Sequence, residues 1–374
     1  MMKRKRYLIS LLPLVLLVLM IVIWLRLKSN TKQMNTFSAR DKSQTIAVLT
    51  REALQSYQVI DKKLVGNGSV PIKTADVVND SLLIDKTLLF STGHVTSSTK
   101  DFYIYTLDLD NGNLHKNKRQ AFPTTGEVKD SQHFYTLTSE AGLKTTVQQF
   151  SKTGKFLKEA VIDAPSVGTQ VFEYGDETFV MAGTEDLGYD ETYYRGRLHI
   201  FDTKNLAYKR YVDLETDDAP YRKNYSSMQV INGVGYCFSD VKRKRHDTTP
   251  MEPDNTLLSY EFATGEMKEI SLTGTPVKWL SKSSDYLIYV LADEETKSSL
   301  RLVNMTTGDE YILPADELIG QSSQIDVINN QYVVVAGKNH LGLYDLLTGT
   351  FLDDIKLKKK EDEADMLVKL SYLS

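Results

Sequence analysis

A short phrase returns six times along the chain, and it narrows the available folds more than any other feature. It consists of an apolar or aromatic residue, often an acid, two spacers, Thr or Asn, and then Gly. The clearest copy is YDLLTGTF, from Tyr344 to Phe351. The others are LDLDNGNL from Leu107, QFSKTGKF from Gln149, FDTKNLAY from Phe201, YEFATGEM from Tyr260 and VNMTTGDE from Val303. Their second positions (Asp108, Phe150, Asp202, Glu261, Asn304 and Asp345) are separated by 42, 52, 59, 43 and 41 residues. A repeat of this period marks an array of like structural units.

The residues ahead of each phrase read as strand. In DFYIYTLDL, Phe102, Ile104 and Thr106 alternate with Tyr103, Tyr105 and Leu107, which is the two-residue period of a pleated chain. RGRLHIFD and NTLLSYEF are similarly rich in branched, aromatic and long apolar residues, a composition that suits strands. The Thr/Asn-Gly pair supplies the turn, because Gly accepts positive φ and Asn tolerates it. Each phrase is therefore the hairpin between two antiparallel strands. The third copy has Leu206 where the others have Gly, so its turn is expected to differ.

Each unit offers four short strands, and four-stranded units repeated radially make a β-propeller. Six phrases require at least six blades. Strand candidates between about 45 and 73, and in MLVKLSYL from Met366, are left over. Pairing them would build a further blade from the two ends and close the ring, removing exposed edges. The expectation is an all-β, seven-bladed propeller of antiparallel blades over residues 45–374. Six blades with a stitched last blade is the alternative. The chain resembles the broad group of bacterial propeller proteins with WD40-like or quinoprotein-like repeats. It lacks the Trp-Asp dipeptide and the Gly-Gly doublet, and Trp24 and Trp279 are its only tryptophans. The resemblance thus implies architecture without a specific family.

The amino terminus suggests a compartment. Residues 1–6 form a basic tail with Lys3, Arg4, Lys5 and Arg6, and residues 7–25 are uncharged. Nineteen helical residues span roughly 28 Å, close to the hydrocarbon thickness. Basic residues ahead of the span predict a cytoplasmic amino terminus, and Trp24 suits the far interface. Arg26 and Lys28 follow at once, with no A-x-A-like cleavage site, so the segment reads as an uncleaved signal-anchor rather than a signal peptide. Residues 29–43 form a polar tether. The propeller is then expected outside the cytoplasm of a bacterial cell, on a single-pass membrane protein.

Function is less legible. A formal charge of −4 and pI of about 5.9 argue against a nucleic-acid partner. Cys237 is the single cysteine; it permits no internal disulfide and reads as a small core residue. The histidines (His94, His115, His133, His199, His246 and His340) show no metal-ligand spacing and read as scattered surface residues. No Gly-x-Ser-x-Gly, His-Glu-x-x-His or Walker loop is present. Asp186, Asp190 and Glu191 could offer oxygen to calcium, but they do not follow the EF-hand order. No metal or cofactor is therefore expected.

Two repeats are longer than the others, and the excess falls at 183–197 and 240–255, with a third long connection at 215–225. All three should emerge on one rim, opposite the phrase turns. Loops on a rigid scaffold commonly carry binding, and Tyr and Arg commonly anchor interfaces. The candidate binding residues are Asp186, Tyr189, Asp190, Tyr193, Tyr194, Tyr221, Arg222, Arg243, Arg245 and His246. The reading is a membrane-anchored binding module for a protein, peptide or envelope component. The alternative is a propeller enzyme, a hydrolase or lyase with its site at the channel mouth.

Overall fold

The computed structural model describes residues 45–72, 74, 78–92, 103–118, 127–129, 132–139, 144–185, 194–215, 220–244, 251–279, 285–292, 298–314, 324–337, 339–357 and 366–369. The expected membrane span at 7–25 and the tether at 29–43 lie outside them. Among the described residues no helix is long and apolar enough to cross a membrane.

The architecture is all-β. β1 (Thr45–Leu49), β2 (Ala53–Ile60) and β3 (Lys63–Pro71) are followed by β4 (Val78–Ile84), β5 (Thr87–Thr92), β6 (Tyr103–Asp108) and β7 (Leu114–Lys118). Next come β8 (Glu127–Lys129), β9 (Phe134–Ser139), β10 (Lys144–Phe150), β11 (Phe156–Tyr174), β12 (Glu177–Glu185), β13 (Tyr194–Asp202) and β14 (Tyr208–Asp213). A third group holds β15 (Tyr221–Ile231), β16 (Val234–Lys244), β17 (Glu252–Glu261) and β18 (Met267–Ser271). A fourth holds β19 (Thr275–Trp279), β20 (Tyr286–Ala292), β21 (Ser298–Asn304) and β22 (Glu310–Pro314). The chain finishes with β23 (Gln324–Ile328), β24 (Tyr332–Gly337), β25 (His340–Asp345), β26 (Phe351–Lys356) and β27 (Met366–Lys369).

These strands form six sheets of a β-propeller, five of four strands and one of seven. The expectation of seven blades is corrected to six, and the cause is β11. This strand runs for 19 residues without a break. Its first part pairs with β10, from Phe150↔Phe156 to Lys144↔Pro165, and its second pairs with β12, from Ser166↔Thr184 to Tyr174↔Glu177. Two repeat units are thereby fused through one strand. The ring is stitched as the alternative required: β27 lies against β1, with Ile46 opposite Lys369 and Leu49 opposite Met366.

Apolar clusters fill the seams between neighbouring sheets. Ala47, Leu49 and Leu54 of the closing sheet meet Leu88, Phe90 and Leu107 of the next. On its other side Ile46 and Val48 meet Val334, Leu341 and Leu343. Phe172, Phe179 and Ile200 pack on Met228, Cys237 and Leu258. Cys237 is fully buried there, and burial pushes its thiol up from the ordinary value. It is core material, because an unionised buried thiol is a poor nucleophile.

The phrase turns are built alike. The N–H of Gly112, Gly265, Gly308 and Gly349 donates to the carbonyl four residues back, at 2.7 to 2.9 Å. The acidic or amide second position closes the turn from its side chain. Asp345 Oδ1 accepts from Thr348 N and Thr348 Oγ1, both at 2.9 Å, and these bonds hold its carboxyl below the usual range. Contrary to expectation, Leu206 makes the same turn: its N–H donates to Asp202 O at 2.8 Å and its φ is 53°. The second copy is the one that differs. It has Phe150 at the acidic position, and Gly154 N donates to Ser151 O, only three residues back. The Ser151 hydroxyl stands in for the missing acid, accepting from the N–H groups of Thr153 and Lys155. The turn is one residue shorter: Phe150 is drawn into the core, and the exposed Phe156 meets its ring edge-on.

Candidate functional site

The three long connections leave from one end of their ladders. β12 and β13 pair from Glu177↔Asp202 at the phrase turn to Glu185↔Tyr194 at the other end. β16 and β17 pair from Val234↔Glu261 at the phrase turn to Lys242↔Glu252. β15 enters at Tyr221, opposite Lys244. Phrase turns and long connections therefore occupy opposite rims.

Much of what reads as loop in the sequence is strand. β16 continues through Val241, Lys242 and Arg243 to Lys244, and β15 already begins at Tyr221. Both strands have 11 residues, where the inner strands β19 and β23 have 5. The ladder extends into this polar stretch with Lys242 and Lys223 each given an acidic partner. Lys242 Nζ lies 3.7 Å from Asp254 Oδ1 and 5.1 Å from the centre of the Tyr221 ring. Lys223 Nζ lies 2.7 Å from Glu269 Oε2, and the Tyr225 hydroxyl donates to Oε1 of the same glutamate at 3.3 Å.

A buried ionic knot ties this hairpin to the preceding sheet. Glu215 Oε1 accepts from Lys223 N at 2.8 Å, and its Oε2 lies 3.4 Å from Arg222 Nη1. Arg195 Nη2 donates to the Glu215 carbonyl at 2.7 Å, while Arg197 Nε donates to Asp213 Oδ1 at 2.6 Å. The Arg197 guanidinium also lies over the Tyr211 ring, 4.6 Å from its centre. Arg222, Arg195 and Glu215 are each about 95% buried. This corrects the expectation for Arg222, which is enclosed with Glu215 and is not an exposed anchor. Tyr221 and Arg243 are half-buried on the same hairpin, and Tyr194 opens β13. Asp186, Tyr189, Asp190, Tyr193, Arg245 and His246 lie outside the described residues, as do Glu191 and His94.

The histidines depart from the scattered-surface reading in two places. His199 is buried, its Nε2 2.9 Å from Thr184 Oγ1; burial first, and the Arg197 charge second, push its pKa down to about 4. His133 sits at the opposite rim with Nδ1 2.6 Å from Glu173 Oε1. A carboxylate in its ionised form only accepts, and Nδ1 is the ring nitrogen placed to donate to it. Glu173 also accepts from Gln132 N at 2.8 Å and from the Tyr135 hydroxyl at 2.5 Å. Burial and the Glu173 charge raise the Tyr135 phenol well above its ordinary value. Gln149 Nε2 donates to the Tyr135 oxygen at 2.7 Å. These residues are scattered through SQHFYT, QQF and VFEY, so no local motif announces them. Among the described residues no group of three or more His, Cys, Asp or Glu could hold a metal ion.

A groove of about 470 Å³ opens between the β16–β18 and β20–β21 sheets. Tyr236, Leu257, Tyr289 and Met305 line it, with Glu261 and Lys268 among its polar residues.

No family model matches the chain, and no curated protein matches it by sequence. Solved structures match in fold. A protein from Lactobacillus plantarum aligns over 87% of this chain and 99% of its own, with TM-score 0.56 and 12% identity. A candidate 6-phosphogluconolactonase from Bacteroides uniformis aligns over 87% and 100%, with TM-score 0.54 and 14% identity. Apo AztD from Citrobacter koseri aligns over 87% and 97%, with TM-score 0.50 and 10% identity. The chain is thus a β-propeller similar to bacterial propeller proteins, and at these identities the likeness extends to the fold alone.

Proposed function

We propose that this β-propeller is a membrane-anchored binding module that captures a protein or peptide outside the cytoplasm. The observation carrying the proposal is the prolonged β15–β16 hairpin. It presents half-buried Tyr221 and Arg243 and exposed Lys244 on a base stiffened by the buried Arg222–Glu215 pair. A rigid scaffold that presents aromatic and basic side chains lowers the ordering cost of association. The uncharged stretch at 7–25 would hold the module at the membrane, with the propeller outside. Crosslinking in intact cells, followed by identification of the captured partner, tests the proposal. The Tyr221→Ser/Lys244→Glu double variant should fold normally and lose the partner. Deleting 242–254 is a poor test, because it removes paired positions of β16 and β17. Unchanged capture by the double variant would overturn the reading.

One observation favours a second reading, that of a hydrolase or lyase. His133 is about one-third exposed, and Glu173 is positioned to make it a base. The name of the Bacteroides uniformis structure is an outside hint in the same direction. On this reading, Glu173→Gln would abolish turnover of lactone or ester substrates while leaving partner capture untouched.

A further inference from the structure

Five buried or half-buried basic side chains on the long-connection rim have acidic or carbonyl partners. Arg195 has the Glu215 carbonyl, Arg197 has Asp213, Arg222 has Glu215, Lys223 has Glu269 and Lys242 has Asp254. Arg243 is the exception. Its Nε is closed off from solvent without a hydrogen-bond partner, although the rest of the side chain is half-open. Across the ladder it faces Arg222 directly, a like-charge pairing that is ordinarily unfavourable. Glu215 compensates Arg222, and among the described residues nothing compensates Arg243. A buried donor left unmade is costly, and a guanidinium fork is shaped for a planar two-oxygen acceptor.

We propose that Arg243 is the receptor for one carboxylate of the bound partner. The proposal rests on the binding reading above and names the chemistry of its ligand. A single negative charge fits better than a phosphate. Arg222, Lys223 and Lys242 already hold a carboxylate each, so Arg243 is the one half-buried cation of the hairpin left without one; the remaining cation, Lys244, is exposed. A second negative charge would have only the exposed, solvent-screened Lys244 to meet it. The carboxylate could come from an acidic side chain or from a chain terminus, and the two sources share this chemistry.

The test uses the full chain, with arginine side chains labelled for nuclear magnetic resonance. The Nε–H signal of Arg243 is identified by its loss in Arg243→Lys. N-acetylglycine supplies a terminal carboxylate, the α-amide of N-acetylglutamate supplies a side-chain one, and inorganic phosphate at matched ionic strength is the third probe. At least one carboxylate should move the Arg243 signal saturably, and phosphate should not; the probe that binds identifies the source. Arg243→Lys keeps the charge but loses the fork, and should weaken that binding about ten-fold, followed at Arg222. No saturable shift with either carboxylate, or phosphate binding at least as tightly, would overturn the proposal. If Arg243→Lys still captures the partner that Tyr221→Ser/Lys244→Glu loses, the carboxylate receptor fails and the binding module stands. If carboxylates bind Arg243 while the double variant captures normally, the receptor stands and the rim reading fails.

Discussion

The side-chain amide of Gln170 makes two hydrogen bonds to the backbone of Met228. Nε2 donates to the carbonyl at 2.5 Å, and Oε1 accepts from the N–H at 2.6 Å. The first residue lies on β11 and the second on β15, so the amide joins adjacent sheets. Gln229 then reaches the carbonyl of Tyr286 on β20 at 2.7 Å, so buried glutamines fasten one sheet to the next. Gln170→Leu preserves bulk but removes both bonds from a buried backbone. It should destabilise the protein by about 2–4 kcal/mol, measured by denaturant unfolding. A change under about 0.5 kcal/mol would mean that the backbone finds other partners.

Leu206 holds a conformation that its neighbours in the repeat give to glycine. The left-handed backbone costs about 1–2 kcal/mol for a residue with a Cβ. Its side chain is 4% exposed and belongs to the cluster containing Phe150 and Phe201. Burial should outweigh strain, because truncating a buried leucine costs about 2–5 kcal/mol. Leu206→Gly is therefore expected to lower stability despite restoring the repeat. A raised melting temperature would reverse that ranking. At the matching position, Gly112→Ala meets open space and should cost less than Gly154→Ala, whose Cβ would approach Asn117 Nδ2 to 2.8 Å and Thr106 Cγ2 to 2.9 Å.

His199 gives the fold a dependence on pH. Its folded pKa of about 4 lies below the ordinary histidine value of 6.5, so the unfolded chain binds the proton first. The neutral imidazole contributes fully above about pH 6.5. That contribution falls as pH drops towards 4 and is gone below it. The shift corresponds to ~3 kcal/mol. His199→Asn should flatten the stability profile across this window, measured as unfolding free energy against pH. Parallel profiles for the two proteins would show that His199 is not the titrating group.

Arg222 and Arg243 face one another, but they should behave oppositely on truncation. Arg222→Ala leaves Glu215 buried without its guanidinium and should cost about 3–5 kcal/mol. Arg243→Ala removes an uncompensated cation and should leave stability unchanged or raise it slightly. Thermal unfolding of the two variants side by side checks the contrast. Equal losses would mean that Arg243 is held by contacts equivalent to those of Arg222.

The hairpins were legible because strand alternation and the Asn/Thr-Gly turn are local properties, and the expected stitching of residues 45–73 to Met366 onwards matches the β1–β27 pairing. What escaped the sequence was long-range. Nothing near Pro165 or Ser166 signals that one strand serves two units, since a fused blade differs from a separate one only in an unbroken backbone. Lys242, Arg243 and Lys244 look like part of a solvated loop until the partners of Lys242 are known: Asp254, and Tyr221 beside it. Glu215 and Arg222 sit in an acidic-to-basic stretch that reads as surface, yet folding encloses them together. His133 and Glu173 are 40 residues apart, beyond the range of any motif. Leu206 shows the opposite limit, where a departure from the pattern left the turn unchanged.

The pairing of β1 with β27 also bears on biosynthesis. The edge of β1 has no inner partner until Met366–Lys369 has been made and, if the propeller is exported, has crossed the membrane. Closure therefore waits for a segment far beyond β1 in the chain, and contacts between distant segments form slowly. During that interval β1 offers an open edge to any passing extended chain. A chaperone that shields Thr45–Leu49, or a translocation route that delivers the chain quickly, would raise the yield of closed rings without altering the stability of the finished fold.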